Sequence, residues 1–222
     1  LLCLLTCFLV GCASESKPLK QENTANAAYS VTDDRGKVFN FTEPPKRMLT
    51  TSLAFQDILL EMVPVEHFIA TSVSAADPNY SMTAALSKKI PNKYRPRITV
   101  EQVLKYKPDL FLTTPLTNPE VSSTLEDMGV KVFMLNQAET YDDIKKSIIK
   151  LGNLVNEKEK SVAILQKMEA GEKALAEKLA VIPNDKQKLA IQLTYSGTYG
   201  MLQNIFGMLC DLAHVKNGMA IM

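Results

Sequence analysis

The sequence has little histidine, no tryptophan and no excess of charge of either sign. It contains two histidines, and 25 basic against 24 acidic residues give a formal net charge of +1. The charges are interspersed without a basic stripe, so nucleic acid is not an expected partner. His67 and His214 have no potential metal ligand near them in sequence, and we expect both to be structural or exposed rather than part of a metal site.

The sequence also lacks the motifs of common catalytic sites. It has no G-x-S-x-G turn, no H-E-x-x-H pair and no glycine-rich loop that would bind phosphate. Ser196 and Thr198 are nucleophiles in principle, but no histidine lies close to either in sequence to activate it. We therefore expect neither an enzyme nor a bound cofactor. Catalytic residues that are distant in sequence could still be brought together by folding, so an exported enzyme is an alternative.

An apolar run occupies the start of the chain, from Leu1 to Val10. A membrane-spanning helix needs about 20 apolar residues and only about 11 are present here, so a signal peptide is favoured. The small Gly11 before Cys12 resembles the lipobox of bacterial lipoproteins. This resemblance implies that residues 1–12 form the signal and that Cys12 is lipidated. No initiator methionine or basic leader precedes the run, so the N-terminus is expected to be incomplete.

The mature chain is expected to lack disulfides and to begin with a flexible segment. Cys3 and Cys7 would leave with the signal, and Cys210 would then be the only free thiol, which excludes an intramolecular disulfide. Exported domains of this size can be stable without a disulfide because their core is large enough. Residues 13–28 are small and polar, which predicts a flexible tether.

From Tyr29 onward, strand and helix patterns alternate. Tyr29 to Phe41 predicts a hairpin that turns at Asp33–Gly36. The predicted strands that follow are 47–53, 68–73, 110–113 and 131–135. The predicted helices are 55–62, 100–106 after Thr99, 118–128, and one capped by Thr140 with Asp143. Residues 74–96 are predicted as a long loop. This alternation is typical of βαβ units and a mostly parallel sheet, and assigns residues 29–155 to one α/β lobe.

A long helix and the beginning of a second lobe follow. Glu157 to Val181 predicts a helix of roughly 37 Å. Its apolar stripe, too short for a coiled coil, consists of Val162, Leu165, Met168, Leu175 and Leu179. Residues 156–182 are thus predicted to join two lobes. A strand at 188–193, a loop at 195–199 and a helix at 204–213 predict the opening of the second lobe. Because about 40 residues cannot bury a sheet alone, we expect this lobe, 183–222, to be truncated.

Several stretches together carry a family resemblance. They are Val31-Thr32-Asp33-Asp34-Arg35-Gly36 with Pro44-Pro45-Lys46-Arg47, Thr99-Val100-Glu101-Gln102-Val103-Leu104 with Lys107-Pro108-Asp109-Leu110, the helix from Glu157, and Phe206 to Ala220. In this order the chain resembles substrate-binding lipoproteins of ABC importers, and more closely the family that captures iron-siderophores, haem and vitamin B12. The departure from the family is at the C-terminus, where most of the second lobe's sheet has no counterpart.

The resemblance implies a fold, a location and partners. It implies an α/β, two-lobed periplasmic-binding-protein fold, fixed outside the cytoplasmic membrane by a lipid. The expected protein is a monomer that captures a metal chelate and delivers it to the importer's permease in the membrane. Glu101 stands in the position of a family glutamate that pairs with a permease arginine. The alternative is an ordinary solvated glutamate.

Candidate ligand-binding residues follow from the rule that ligands of open α/β sheets bind beyond the carboxyl ends of the strands. On the first lobe this rule selects Ser52, Leu53, Ala54, Phe55, residues 73–76, Thr114 and Pro115. On the second lobe it selects Tyr195, Thr198 and Tyr199. The long loop and the residues just beyond it add Tyr80, Tyr94, Arg95 and Arg97, since arginine binds anions and tyrosine packs on flat ligands. These tyrosines could instead pack the loop while the arginines remain solvated.

The ligand itself is not determined by these residues. An iron-siderophore is favoured by the arginine and tyrosine content of the loops, with cobalamin and haem as alternatives. Direct capture of Zn²⁺ or Mn²⁺ is a further hypothesis, but it needs clustered ligands that the sequence does not show.

Overall fold

The computed structural model describes residues 28–95, 97–194, 197–199 and 205–218. The strands are β1 (Tyr29–Thr32), β2 (Val38–Phe41), β3 (Met48–Thr50), β4 (Ala70–Ser72), β5 (Asn92–Tyr94), β6 (Leu110–Thr113), β7 (Val132–Met134), β8 (Leu189–Ala190), β9 (Gln192–Thr194), β10 (Gly197–Tyr199) and β11 (Lys216–Asn217). The helices are α1 (Leu53–Leu60), α2 (Ala84–Ser87), α3 (Val100–Tyr106), α4 (Pro119–Asp127), α5 (Tyr141–Leu154), α6 (Lys158–Leu179) and α7 (Ile205–Leu212).

The first lobe is built on parallel strands. β6 pairs in parallel with β3 on one side and with β7 on the other, and β5 pairs in parallel with β4. A parallel bridge between Met48 and Phe68 places the chain entering β4 beside β3. The spatial order is therefore β5-β4-β3-β6-β7. The chain adds strands on one side of β3 and then on the other, so the sheet has a topological switch point between β3 and β6.

Both faces of this sheet are covered by helices. Met48, Leu110 and Phe133 point to one face and form a core with residues of α1 and α5. Leu49, Phe111 and Val132 alternate with them and form a second core with residues of α3 and α4. Parallel strands that are buried on both faces have nearly continuous apolar sequences, and β6 is an example. The predicted α/β class is confirmed.

The predicted hairpin of β1 and β2 is also present, and its turn contacts the edge of the sheet. Gly36 has a φ of +83°, which a side chain would disfavour. The backbone N–H of Asp34 donates to the Met134 carbonyl at 2.9 Å, and the Arg35 Nη2 donates to the Val132 carbonyl at 2.6 Å. The turn thus covers part of β7, the last strand of the sheet, which would otherwise have an open edge.

The two proline-containing motifs of the sequence contact one another at the amino edge of the sheet. Asp109 Oδ2 accepts hydrogen bonds from the backbone N–H groups of Lys46 at 2.7 Å and Arg47 at 3.0 Å. The Arg47 guanidinium donates to the carbonyls of Tyr106 at 2.8 Å and Lys107 at 3.0 Å, at the end of α3. These motifs join the starts of β3 and β6, so their role here is structural.

Two predicted loops contain secondary structure. The segment 74–96 contains α2, β5 and part of a 3₁₀ helix, Val73–Ala76. β5 has no alternating pattern, since only Tyr94 of its three residues is buried, and it forms because β4 offers a free edge. The predicted loop 195–199 includes β10, which pairs antiparallel with β9. The predicted strand 188–193 is divided at Ile191 into β8 and β9, and β8 pairs in parallel with β11.

The long helix α6 has two different halves. It has 22 residues and is about 33 Å long. Its first half packs on the first lobe through Ile164, Leu165 and Met168. Residues 169–178 are exposed, and so are Val162 and Leu175 of the predicted stripe. In the described part of the chain, no helix combines the length and the apolar character needed to cross a membrane.

Candidate functional site

A crevice lies at the carboxyl edge of the first-lobe sheet and includes the switch point between β3 and β6. Its volume is about 1040 Å³. The residues that line it are Thr51, Ser52, Leu53, Ser72, Ser74, Tyr94, Arg97, Ile98, Thr99, Val100, Glu101, Thr114, Leu116, Thr117, Asn118, Glu120, Val121, Thr124 and Gln137. We call this set the crevice. Its position is the one at which open α/β sheets bind ligands.

A cluster of threonine hydroxyls joins the two strands at the switch point. Thr51 Oγ1 lies 3.2 Å from Thr113 Oγ1 and 3.1 Å from Thr117 Oγ1, and the Thr113 hydroxyl donates to Thr117 at 2.7 Å. Thr113 is buried, whereas Thr51 and Thr117 are half-buried and reach the crevice. A hydroxyl both donates and accepts, so this threonine cluster can bind either type of ligand group.

Three helices begin at the crevice, and each has a polar N-cap. Ser52 caps α1 by accepting from the Phe55 N–H, and Thr99 caps α3 within a capping box with Gln102. Asn118 Oδ1 caps α4 by accepting from the Glu120 N–H at 3.0 Å. These side chains satisfy backbone donors that would otherwise be free. They also fix the rims of the crevice on rigid elements.

The charged side chains of the crevice are one arginine and two glutamates. Arg97 has a φ of +72°, a left-handed conformation that is uncommon for a residue other than glycine. Glu101 and Glu120 lie in the first turns of α3 and α4. Two hydrogen bonds lower the pKa of the Glu101 carboxyl. The larger effect comes from the Thr99 side chain and the smaller from the backbone N–H of Glu101. Glu101 is therefore charged at neutral pH.

The structure brings six of the predicted ligand-binding residues together. The crevice is lined by Ser52, Leu53, Ser74, Tyr94, Arg97 and Thr114. The Tyr94 side chain is buried and its hydroxyl donates to the Thr50 carbonyl. Burial raises the pKa of this phenol, so it remains protonated at neutral pH. Its ring is available to a ligand only where it borders the crevice.

Other predicted residues lie elsewhere. Phe55 is buried in the core with Leu59, because α1 begins at Leu53 and turns Phe55 toward the sheet. Ala54, Tyr80, Arg95 and Pro115 are exposed and do not line the crevice. Of the two candidate arginines it is Arg97, rather than Arg95, that reaches it. Cys12 and Tyr195 lie outside the described residues, and Thr198 and Tyr199 are described as part of β10 only.

Sequence reasoning missed the threonine cluster. Its members Thr51 and Thr113 belong to the runs Thr50-Thr51-Ser52 and Thr113-Thr114 at the ends of β3 and β6, and Thr117 lies about one turn later. Runs of hydroxyl residues at the carboxyl ends of two strands that become neighbours are a signal for such a cluster. The pairing of β3 with β6 was needed to use it, because 62 residues separate Thr51 from Thr113.

Tyr80 lies on a loop whose backbone is held by Asp57 of α1. Asp57 Oδ1 accepts hydrogen bonds from the hydroxyls of Ser81 and Thr83, each at 2.6 Å, and Oδ2 accepts from the Met82 N–H at 3.0 Å. Ser81 and Thr83 are buried while Met82 between them is 96% exposed. The loop is thus fixed in place with Tyr80 and Met82 pointing to solvent.

Comparison with known proteins agrees with this architecture. Residues 51–214 match the model of a family described as periplasmic binding protein. A similar curated protein is the uncharacterized ABC transporter substrate-binding lipoprotein YvrC of Bacillus subtilis, 21% identical over 193 residues, which cover 84% of this chain. The chain spans 60% of the length of that relative.

Solved structures show the same fold at low sequence identity. The molybdate periplasmic binding protein MolA from Haemophilus influenzae superposes with a TM-score of 0.69 at 16% identity, covering 85% of this chain and 65% of MolA. An ABC-type Fe³⁺-hydroxamate transport system protein from Saccharomonospora viridis gives 0.63 at 19% identity, covering 85% and 69%. The family match extends over about three quarters of the sequence. This chain belongs to the periplasmic binding protein family.

Proposed function

We propose that the chain is the solute-binding component of an ABC importer, and that it captures an iron complex outside the cytoplasmic membrane. The observation that carries this proposal is the crevice at the switch point, with its volume of about 1040 Å³. A crevice of this size suits a bulky ligand, since sites for drug-sized molecules occupy roughly 300–1,000 Å³. A bare metal ion would need a much smaller site with converging ligands.

The iron complex is favoured over the other ligands for two reasons. In the described ranges, no group of three histidine, cysteine, aspartate or glutamate side chains is placed to hold a metal ion, which disfavours direct capture of Zn²⁺ or Mn²⁺. The Saccharomonospora viridis protein of the same fold is described as an Fe³⁺-hydroxamate system. Haem and cobalamin are the alternatives within the family.

The rest of the proposed site belongs to the second lobe. Tyr195, Thr198 and Tyr199 would contact the ligand from the side opposite the first lobe, with residues 156–182 joining the lobes and 183–222 opening the second. The stiff helix α6 would limit the movement between them to a small closure. A difference in ligand affinity between the free and the permease-bound protein would drive release.

Docking to the permease would use Glu101. Its carboxylate is exposed, charged and located at the edge of the sheet where the crevice opens. An exposed charge of this kind contributes little to affinity by itself, but it orients the encounter. The lipid on Cys12 and the tether 13–28 would hold a monomeric protein near its permease, and the lipoprotein name of the Bacillus subtilis relative supports this arrangement.

Calorimetric titration of the complete protein tests the proposed function. Ferrichrome, haemin, cyanocobalamin and ZnCl₂ would be titrated separately. We expect a ferric chelate to bind with a Kd below about 1 μM, equivalent to roughly 8 kcal/mol. Saturation by Zn²⁺ with no response to any chelate would contradict the proposal. Tight binding of haemin or cyanocobalamin alone would support the importer role, but with that compound instead of a ferric chelate as the ligand.

A further inference from the structure

The described part of the crevice contains many uncharged hydroxyl groups and few charges. Eight of its lining residues are serine or threonine: Thr51, Ser52, Ser72, Ser74, Thr99, Thr114, Thr117 and Thr124. Among the described lining residues the charged ones are Arg97, Glu101 and Glu120, so their formal sum is −1. The arginine content of the loops suggests an anionic ligand, but in the crevice itself two glutamates outnumber the one arginine.

The helix N-termini at the crevice do not reverse this balance. The first turns of helices carry a partial positive charge that favours anions. In α3 and α4 this charge already faces the carboxylates of Glu101 and Glu120, which lie in those first turns. Ser52, Thr99 and Asn118 occupy one N–H group of each helix. Only α1 begins at the crevice without an acidic residue in its first turn.

From this charge balance we propose that the crevice selects an electrically neutral or cationic metal chelate and rejects a strongly anionic one. The inference rests on the proposed function and specifies its substrate. A polyanionic chelate would place several negative charges beside two carboxylates with one guanidinium to offset them. A neutral chelate rich in carbonyl, N–O and hydroxyl oxygens would instead find donors and acceptors in the hydroxyl groups, including the threonine cluster.

Three ferric chelates of different charge provide the test. Uncharged ferrichrome, singly cationic ferrioxamine B and triply anionic ferric enterobactin would be titrated into the complete protein by calorimetry at low salt. We expect at least one of the first two to bind at least about tenfold more tightly than ferric enterobactin. For ferrioxamine B the affinity should fall as salt is raised, because salt screens the attraction between exposed charges.

A pair of variants on α4 locates the effect. Glu120→Gln removes a carboxylate from the crevice, and Asp127→Asn makes the same charge change at an exposed position of the same helix outside the crevice. The quantity compared is the ratio of the affinity for the better-bound hydroxamate chelate to the affinity for ferric enterobactin. We expect Glu120→Gln to lower this ratio by roughly threefold or more, and Asp127→Asn to leave it unchanged. Equal effects of the two variants would show that overall charge rather than the crevice is responsible, and would overturn the inference.

The failure of this inference is distinct from failure of the proposed function. Tighter binding of ferric enterobactin than of both hydroxamates would overturn the charge selection while the protein remained an iron-chelate receptor. Binding of none of the three chelates would contradict the siderophore-type ligand and the charge selection together.

Discussion

Replacing Asp33 by alanine should lower the free energy of unfolding by about 3–5 kcal/mol, because several hydrogen-bond donors lose a shared acceptor and each buried donor left unsatisfied costs about 1–3 kcal/mol. The Asp33 side chain is fully buried and pairs with Arg35 Nη2 at 2.7 Å. Its oxygens also accept from the N–H groups of Arg35 at 2.9 Å, Lys37 at 3.0 Å and Met134 at 3.3 Å. The substitution would leave these donors without their acceptor where the hairpin meets β7.

Urea unfolding followed by circular dichroism measures this change. Asp33→Asn serves as an intermediate variant, because its amide oxygen can still accept from the two N–H groups of the turn while the ion pair is lost; we expect about half the effect. Asp127→Asn, at an exposed site, should change stability by less than about 0.5 kcal/mol. A loss of less than about 1 kcal/mol for Asp33→Ala would show that the hairpin does not stabilise the sheet.

Replacing Gly152 by alanine should destabilise the protein by about 2 kcal/mol, even though alanine is the better helix former by about 1 kcal/mol. Gly152 lies where α5 crosses the start of α6. A Cβ there would lie 2.5 Å from Ser161 Cβ and 3.2 Å from the Glu157 carbonyl oxygen. Both atoms are fixed by the backbone of the second helix, so relief requires α6 to move away from the first lobe.

Gly171 provides the matched control for this substitution. It also lies within a helix, α6, but a Cβ at Gly171 would meet nothing within 4 Å. Gly171→Ala should therefore stabilise the protein by up to about 1 kcal/mol through helix propensity alone. Opposite signs for the two variants in thermal unfolding are expected. A stabilising effect of Gly152→Ala would mean that α5 and α6 are not closely packed.

Features set by local sequence were predicted well. The sequence predicts Thr99 as the start of α3 and the pairing of Thr140 with Asp143 at the start of α5, and both are present. The apolar run 110–113 is β6, and the turn at Asp33–Gly36 joins β1 and β2. Each of these signals depends on residues within one turn or one strand, where side-chain spacing and caps determine the conformation.

Features that depend on distant residues were not predictable in this way. β5 has no pattern of its own and needs the edge of β4. The sequence predicts Phe55 at the site because it follows a strand, but its position on α1 directs it to the core. Arg97, which has a left-handed backbone, lines the crevice whereas Arg95 does not, and neither feature follows from local sequence. The carboxyl-edge rule selects the edge of the sheet where the crevice lies, while the identity of the side chains that line it depends on the three-dimensional pairing of the strands.

The decisive measurement is the affinity for ferrichrome of two tryptophan variants, one inside and one outside the crevice. Ser74 lines the crevice, whereas Ser123 is an exposed residue of α4 that does not. We expect Ser74→Trp to fill the crevice and lower the affinity for ferrichrome at least about tenfold, and Ser123→Trp to bind like the unmodified protein. If both variants, folded by circular dichroism, bind ferrichrome with unchanged affinity, the ligand does not occupy the crevice and the account is wrong.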